Sequence, residues 1–155
     1  MIVDSTVLIS LGNIGKLDLL SECVIPEKVI KEVTKEPAKS ALNSLKFRLI
    51  IPSTKSRRKA LEILGDEEET GDSDVVAALI ENPHYVVATD DRRIRNVCKA
   101  LGGKVTGTLG IVIHSAKTGK IAKSEALEIV KQLDASGFRM SLELYEKVKE
   151  ILDRI

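Results

Sequence analysis

The chain has 155 residues, of which 43% are hydrophobic, 30% charged and only 3% aromatic, with no tryptophan. That length suits one domain with an aliphatic core that closes without metal or disulfide staples, and the composition excludes disorder. The 24 basic and 23 acidic side chains leave a formal charge of +1, which excludes a strongly basic nucleic-acid coat but leaves room for a local basic patch.

Cys23 and Cys98 lie far apart and have no neighbours at metal-ligand spacing, so two free buried thiols are expected rather than a zinc ribbon, a redox pair or a disulfide framework. No apolar run approaches the roughly 18–20 residues of a membrane helix. The opening Met1-Ile2-Val3-Asp4 lacks the basic start of a signal peptide and carries a carboxylate at position 4. A cytoplasmic protein is expected.

Short aliphatic runs alternate with amphipathic stretches along the chain. Runs at 2–3, 23–25, 49–51, 85–88 and 104–106 are too short for helices and are bounded by polar or turn residues, so they read as strands. Val75, Val76, Leu79 and Ile80 form a helical stripe that Asn82-Pro83 ends. Ile94, Val97, Cys98 and Leu101 form another, ended by Gly102-Gly103. The chain closes with two amphipathic helices. One covers 124–134 and stops at Ser136-Gly137; the other starts at the N-cap Ser141 and carries Leu144, Tyr145, Val148, Ile151, Leu152 and Ile155 on one face. Strands alternating with helices imply a parallel sheet with right-handed crossovers, hence a three-layer α/β domain with a C-terminal helical extension.

Ligands of such sheets bind beyond the carboxyl ends of the strands, where strand order reverses. Asp4 ends the first strand, Asp90 and Asp91 end the fourth, Asp72 opens the Val75 helix, and Glu32 lies at the margin of the apolar stripe after Pro26. Asp4, Asp72 and Asp91 each precede a helix and can equally serve as N-caps. The run Asp66-Glu67-Glu68-Glu69 reads as an exposed loop. Carboxylates brought together at neighbouring strand ends raise one another's pKa unless a cation neutralises them, which makes an acidic divalent-metal site possible.

These residues also resemble the PIN domain, a family of metal-dependent ribonucleases that includes the VapC-type toxins of bacteria and archaea. Ile2-Val3-Asp4-Ser5-Thr6 is similar to its first motif, and the segment from Ile25 to Glu32 to its second. Gly71-Asp72-Ser73-Asp74 resembles the third, with Asp72 where relatives often carry Glu and with Asp74 competing for the role. Val87-Ala88-Thr89-Asp90-Asp91 resembles the fourth, a Thr-x-Asp triplet. Gly107-Thr108-Leu109-Gly110 and the segment from Ser136 to Ser141 look like features of one PIN-like branch.

The resemblance implies a five-stranded parallel sheet of order 3-2-1-4-5, with a nuclease domain over 1–120 and the helical extension over 121–155. It implies Mg²⁺ or Mn²⁺ held by Asp4, Asp72 and Asp91, and Glu32 as a water-mediated ligand or base. It further implies hydrolysis of RNA, a homodimer, and a role either as a toxin partnered by a protein antitoxin or in RNA processing. Ser5 and Thr89 are candidate hydrogen-bonders to the site. Arg92 and Arg95, beside Asp91, are candidate RNA contacts, and Lys55, Arg57, Arg58 and Lys59 read as a solvated basic face. The Thr-x-Asp spacing favours Asp91 over Asp90 as the ligand; Asp90 is then left to cap a helix or to pair with Arg93. His114, in an apolar helical run, reads as a core histidine, and Gly107–Gly110 lacks the Lys-Ser/Thr of a phosphate-binding loop. Two other readings remain: a catalytically silent binding module of the same fold, and a phospho-receiver-like signalling domain, for which the acidic pair stands at the fourth strand rather than the first.

Overall fold

A computed structural model describes residues 1–155. Five parallel strands form one sheet in the order β3-β2-β1-β4-β5. They are β1 (Ile2–Val3), β2 (Cys23–Pro26), β3 (Phe47–Ile50), β4 (Val87–Ala88) and β5 (Val105–Thr106). Nine helices connect and cover them: α1 (Ser5–Asn13), α2 (Glu27–Glu32), α3 (Ala38–Ala41), α4 (Thr54–Leu64), α5 (Gly71–Glu81), α6 (Arg92–Ala100), α7 (Thr108–Lys117), α8 (Lys123–Ala135) and α9 (Leu142–Asp153). The α/β layering is the one the alternating pattern implies, and the sheet order is the one the family resemblance implies.

The central strands are fully buried, as parallel strands covered on both faces must be. Ile2 pairs with Val24 on one side and Val87 on the other. The chain runs outward from β1 through β2 to β3, then returns to the other side of β1 for β4 and β5. Strand order therefore reverses between β1 and β4, and a crevice opens at their carboxyl ends. The Asp4 amide donates to the Ala88 carbonyl at 2.9 Å, so Asp4 lies beside the end of β4.

Three local expectations shift. The third strand is Phe47–Ile50 rather than 49–51, because it pairs residue for residue with Cys23–Pro26. On this edge strand Phe47 and Ile50 turn inward, while Leu49 and the following Ile51, 59% exposed, face out. Helix α4 covers the charged run that the apolar periodicity leaves unassigned; Ser53 caps it by accepting from the Ser56 amide, and Ala60 is its buried contact. His114 is exposed rather than in the core, since α7 turns Ile111, Val112, Ser115 and Ala116 inward. Both cysteines are free and buried, as expected.

The C-terminal helices pack on α7 and on each other. Ile129 and Leu133 of α8 and Val148 and Leu152 of α9 belong to the same apolar cluster as Ile2, Val7 and Val87. Leu152→Ala is therefore expected to cost ~2–4 kcal/mol by leaving a cavity at a 0% exposed site, whereas Leu142→Ala, at a 76% exposed position, stays within ~0.5 kcal/mol of wild type. Urea unfolding of the two variants checks both values.

Candidate functional site

Asp4 leaves β1 and caps α1, so its carboxylate is fixed by the turn that ends the strand. It is buried, and three donors hold it. Oδ1 accepts from the Ser5 amide at 2.8 Å; Oδ2 accepts from the Thr6 hydroxyl at 3.1 Å and the Thr89 hydroxyl at 2.6 Å. A carboxylate offers about four lone-pair positions, so one remains for a cation. Burial raises the Asp4 pKa despite these bonds, and the Asp91 charge raises it further.

Asp91 follows β4 and caps α6, accepting from the Ile94 amide at 3.0 Å through Oδ1. Its own amide donates to the Thr89 hydroxyl at 3.1 Å, so Thr89 bridges Asp4 and Asp91. Asp91 is thus both a helix cap and a member of the acidic group, two readings the sequence set against each other.

Asp72 does not precede its helix. It occupies the first turn of α5, and Thr70 is the cap, in a reciprocal box with Ser73. Its pKa is raised to about 6, first by burial, then by the charges of Asp4 and Asp91. Arg93 lowers it in part, and Glu32 adds to the rise. Glu32 ends α2 and reaches across to the same helix, accepting from the Gly71 amide at 2.7 Å. Position 71 has no room for a β-carbon: one would strike the Glu32 carboxyl oxygens. The amino ends of α1, α5 and α6, each a partial positive charge, therefore all meet carboxylates of this group.

The neighbouring acids point elsewhere. Asp74 lies ~200° around α5 from Asp72. It is fully buried in a two-point ion pair with Arg57, at 2.9 and 3.0 Å. Arg57 is correspondingly not part of a solvated basic face. Asp90 caps α7, accepting from the Thr108 amide at 2.8 Å and the Thr108 hydroxyl at 2.6 Å. It does not pair with Arg93, which instead holds Asp66 at 3.0 and 2.7 Å and stands 3.7 Å from Asp72. Asp66 is thus not a free loop acid.

The structure draws together Asp4, Glu32, Asp72, Asp91 and Thr89, and leaves Asp74 and Asp90 in other contacts. Ser5 contributes its backbone amide. Thr6 and Gly71 are absent from the sequence-based candidates. The signal for Thr6 is its hydroxyl two residues beyond the capping Asp4; Gly71 is marked only as the first residue of the third motif, and its contact with Glu32 leaves no local pattern because that partner is 39 residues away. Arg92 and Arg95 start the helix next to Asp91, and Arg95 Nη1 donates to the Thr89 carbonyl at 2.9 Å. A larger cleft of about 860 Å³ opens at the amino ends of the strands, where His84, His114 and Arg48 line it, at the opposite edge of the sheet from these acids.

The donor set is all oxygen and carries more negative charge than the nearby Arg93 offsets, which fits a hard divalent cation. No three acidic, histidine or cysteine side chains stand close enough to hold an ion between them. The fit is therefore to Mg²⁺ or Mn²⁺ bound through one or two carboxylates with water completing the shell.

Parallel strands between two helical layers, with carboxylates gathered where strand order reverses, define an α/β fold with an acidic crevice. The model of a PIN-domain family, DUF3368, matches residues 1–154, and the chain belongs to that family, whose members share a nuclease fold. No curated protein matches the chain significantly. No helix is long and apolar enough to cross a membrane.

The raised Asp72 pKa sets a pH dependence. The folded state binds this proton more tightly than the unfolded chain, so stability falls as pH rises from 3.8 to about 6 and stays lower above that. The Asp72 side chain is 36% exposed, so solvent screening reduces the effect to ~1–2 kcal/mol. Asp72→Asn is expected to be more stable than wild type by that amount at pH 7.5 in EDTA and to match it near pH 4. Equal stabilities at both pH values contradict the assignment.

Proposed function

We propose that the protein is a Mg²⁺- or Mn²⁺-dependent endoribonuclease that hydrolyses RNA to a 3′-hydroxyl and a 5′-phosphate. The observation that carries this reading is the Asp72 carboxyl raised to about 6, first by burial and then by the charges of Asp4, Asp91 and Glu32, whose mutual repulsion a cation relieves. Asp4, Asp72 and Asp91 would hold the cation, one or two of them directly and the rest through water. When bound, it supplies an activated water at neutral pH and positive charge for an in-line displacement at phosphorus.

The remaining work falls to this chain's own side chains. Thr89 and Thr6 fix the Asp4 carboxylate, so it does not reorient as charge develops. Glu32, anchored through one oxygen to Gly71, presents the other to orient the attacking water or to accept its proton. Arg92 and Arg95 approach the phosphate from the Asp91 side. The same reading gives the protein one of two roles in the cytoplasm, the toxin of a VapC-type pair with a protein antitoxin as partner or an RNA-processing nuclease, with a homodimer as its assembly. Leu142 at the start of α9 and Ile155 just beyond its end leave apolar surface for such contacts. In this reading the nuclease domain spans 1–120, and 121–155 extend it.

A catalytically silent module is the second reading. It is favoured by the absence of three donors close enough to share an ion.

RNA cleavage measured with and without Mn²⁺ separates the two. Wild type is expected to cleave only with the cation. Asp4→Asn and Asp91→Asn should each lose at least ~100-fold in rate, the scale of losing preorganised charge at the reacting phosphate. Asp90→Asn should stay within ~10-fold; Asp91→Asn should melt within ~1 kcal/mol of wild type because Asn also caps helices, and each variant is assayed at a temperature at which it is folded. An inactive Asp90→Asn with a fully active Asp91→Asn overturns the residue roles. No cleavage with Mn²⁺ by any variant leaves the silent module.

A further inference from the structure

A cleft of about 750 Å³ lies between the start of α6 and the turn that joins α8 to α9, and none of Asp4, Glu32, Asp72 and Asp91 lines it. Thr6 does line it, and the Thr6 hydroxyl donates to Asp4 at 3.1 Å, which puts the cleft one hydrogen bond from the acidic group. Arg92, Arg95 and Arg139 line it, and none of the three forms an ion pair. Its one carboxylate, Asp90, is engaged by the Thr108 amide and hydroxyl. The wall is therefore cationic, although the chain as a whole is almost neutral at +1. Phe138, one of two phenylalanines in the chain, stands beside Arg139 in the same wall.

These side chains sit on fixed backbone. Helix α8 ends in a paired turn: the Phe138 amide donates to the Leu133 carbonyl at 3.0 Å and the Gly137 amide to the Asp134 carbonyl at 3.1 Å. Gly137 has φ +97°, which a residue with a β-carbon rarely adopts. Ser141 then caps α9 by accepting from the Leu144 amide at 3.1 Å. The backbone of Phe138 and Arg139 thus lies between two capped helix ends, and the half-buried Phe138 ring packs in part against the apolar core, so the backbone and the ring lose little freedom on binding. Arg95 is tethered to the Thr89 carbonyl at 2.9 Å. Gly107 keeps the passage open: a β-carbon there would lie 2.7 Å from an Asp90 carboxyl oxygen and 3.1 Å from Arg95 Nη1.

We propose that this cleft is a track for single-stranded RNA leading to the carboxylates, with Arg95 and Arg139 on successive phosphates and Phe138 stacked on a base. This deepens the nuclease reading and rests on it for the direction of the track. A cationic groove with an aromatic platform suits an unpaired strand, because a duplex keeps its base faces stacked and offers Phe138 no partner. The 136–141 turn then acts as a substrate-positioning element built on the C-terminal helices.

The test reads binding apart from cleavage. The full chain is titrated in EDTA with a fluorescent 12-nucleotide single-stranded RNA, with the 12-base-pair duplex, and with an acidic peptide of similar charge, across a range of salt. Wild type is expected to prefer the single strand. Arg139→Ala and Phe138→Ala should each weaken it ~5- to 50-fold. Arg139→Ala should also flatten the slope of log K against log salt by ~0.7. Phe138→Ala should leave that slope unchanged, and Arg139→Lys should recover most of the salt slope. Circular dichroism melts confirm that each variant is folded; Phe138→Leu replaces Phe138→Ala if the latter is not.

Unchanged single-strand affinity in folded Arg139 and Phe138 variants overturns the proposal, as does equal affinity for the duplex. No RNA binding by wild type at low salt also overturns it. An acidic peptide that binds more tightly than RNA and depends on Arg139 makes the cleft a protein-docking surface instead. Cleavage in Mn²⁺ is measured separately. A protein that binds RNA through this cleft but never cleaves it overturns the nuclease reading alone, and one that cleaves with unaltered affinity in the variants overturns the cleft alone.

Discussion

The Asp4 carboxylate is buried at the point where the parallel sheet reverses, and the site depends on keeping a charged group there. Burial works against the charge; the Ser5 amide and the Thr6 and Thr89 hydroxyls work for it. Three hydrogen bonds of ~1.5–3 kcal/mol to a charged acceptor are of the size needed to hold a carboxylate out of water. Thr89 also receives the Asp91 amide, so the ends of β1 and β4 are tied through one side chain. The amino ends of α1, α5 and α6 then supply partial positive charge that allows Asp91 and Asp72 to join Asp4. What they do not supply is a full counter-charge, and Asp72 records the deficit.

In the proposed nuclease, that deficit trades stability for function. Carboxylates that repel one another destabilise the free protein, and a structure selected only for stability would replace at least one of them. Two residues farther along α5, Asp74 shows the alternative: a buried acid matched by a two-point contact from Arg57. Removing either partner of that pair would strand a buried charge. Asp90 and Asp91 divide in the same way, one engaged with the start of α7 and the other left facing the acids. Adjacent or near-adjacent carboxylates thus serve opposite ends according to whether the fold provides each with a donor set.

Much of this was legible in the sequence. The aliphatic runs and the helical stripes lead to the alternating strands and helices, and the strand ends point to Asp4 and Asp91. What stayed hidden depends on contacts distant in the chain. Glu32 meets Gly71 across 39 residues, and the Arg57–Asp74 pair joins two helices; neither leaves a local pattern. Helix α4 escaped because its first turns are almost wholly charged and periodicity has little apolar signal to follow. The third strand shifted because the most apolar stretch, 49–51, includes two residues that face solvent on a sheet edge. His114 was misplaced because its apolar neighbours define the opposite face of α7.

The central claim is that the gathered carboxylates await a divalent cation, and thermal melts test it most directly. At pH 7.5, Mn²⁺ at about 100 times its Kd should stabilise the wild type by ~2.7 kcal/mol over EDTA, a rise of roughly 5–10 °C in Tm for a domain of this size. Asp4→Asn should lose most of that rise. Wild-type melts that superimpose with EDTA and with saturating Mn²⁺ would contradict the account.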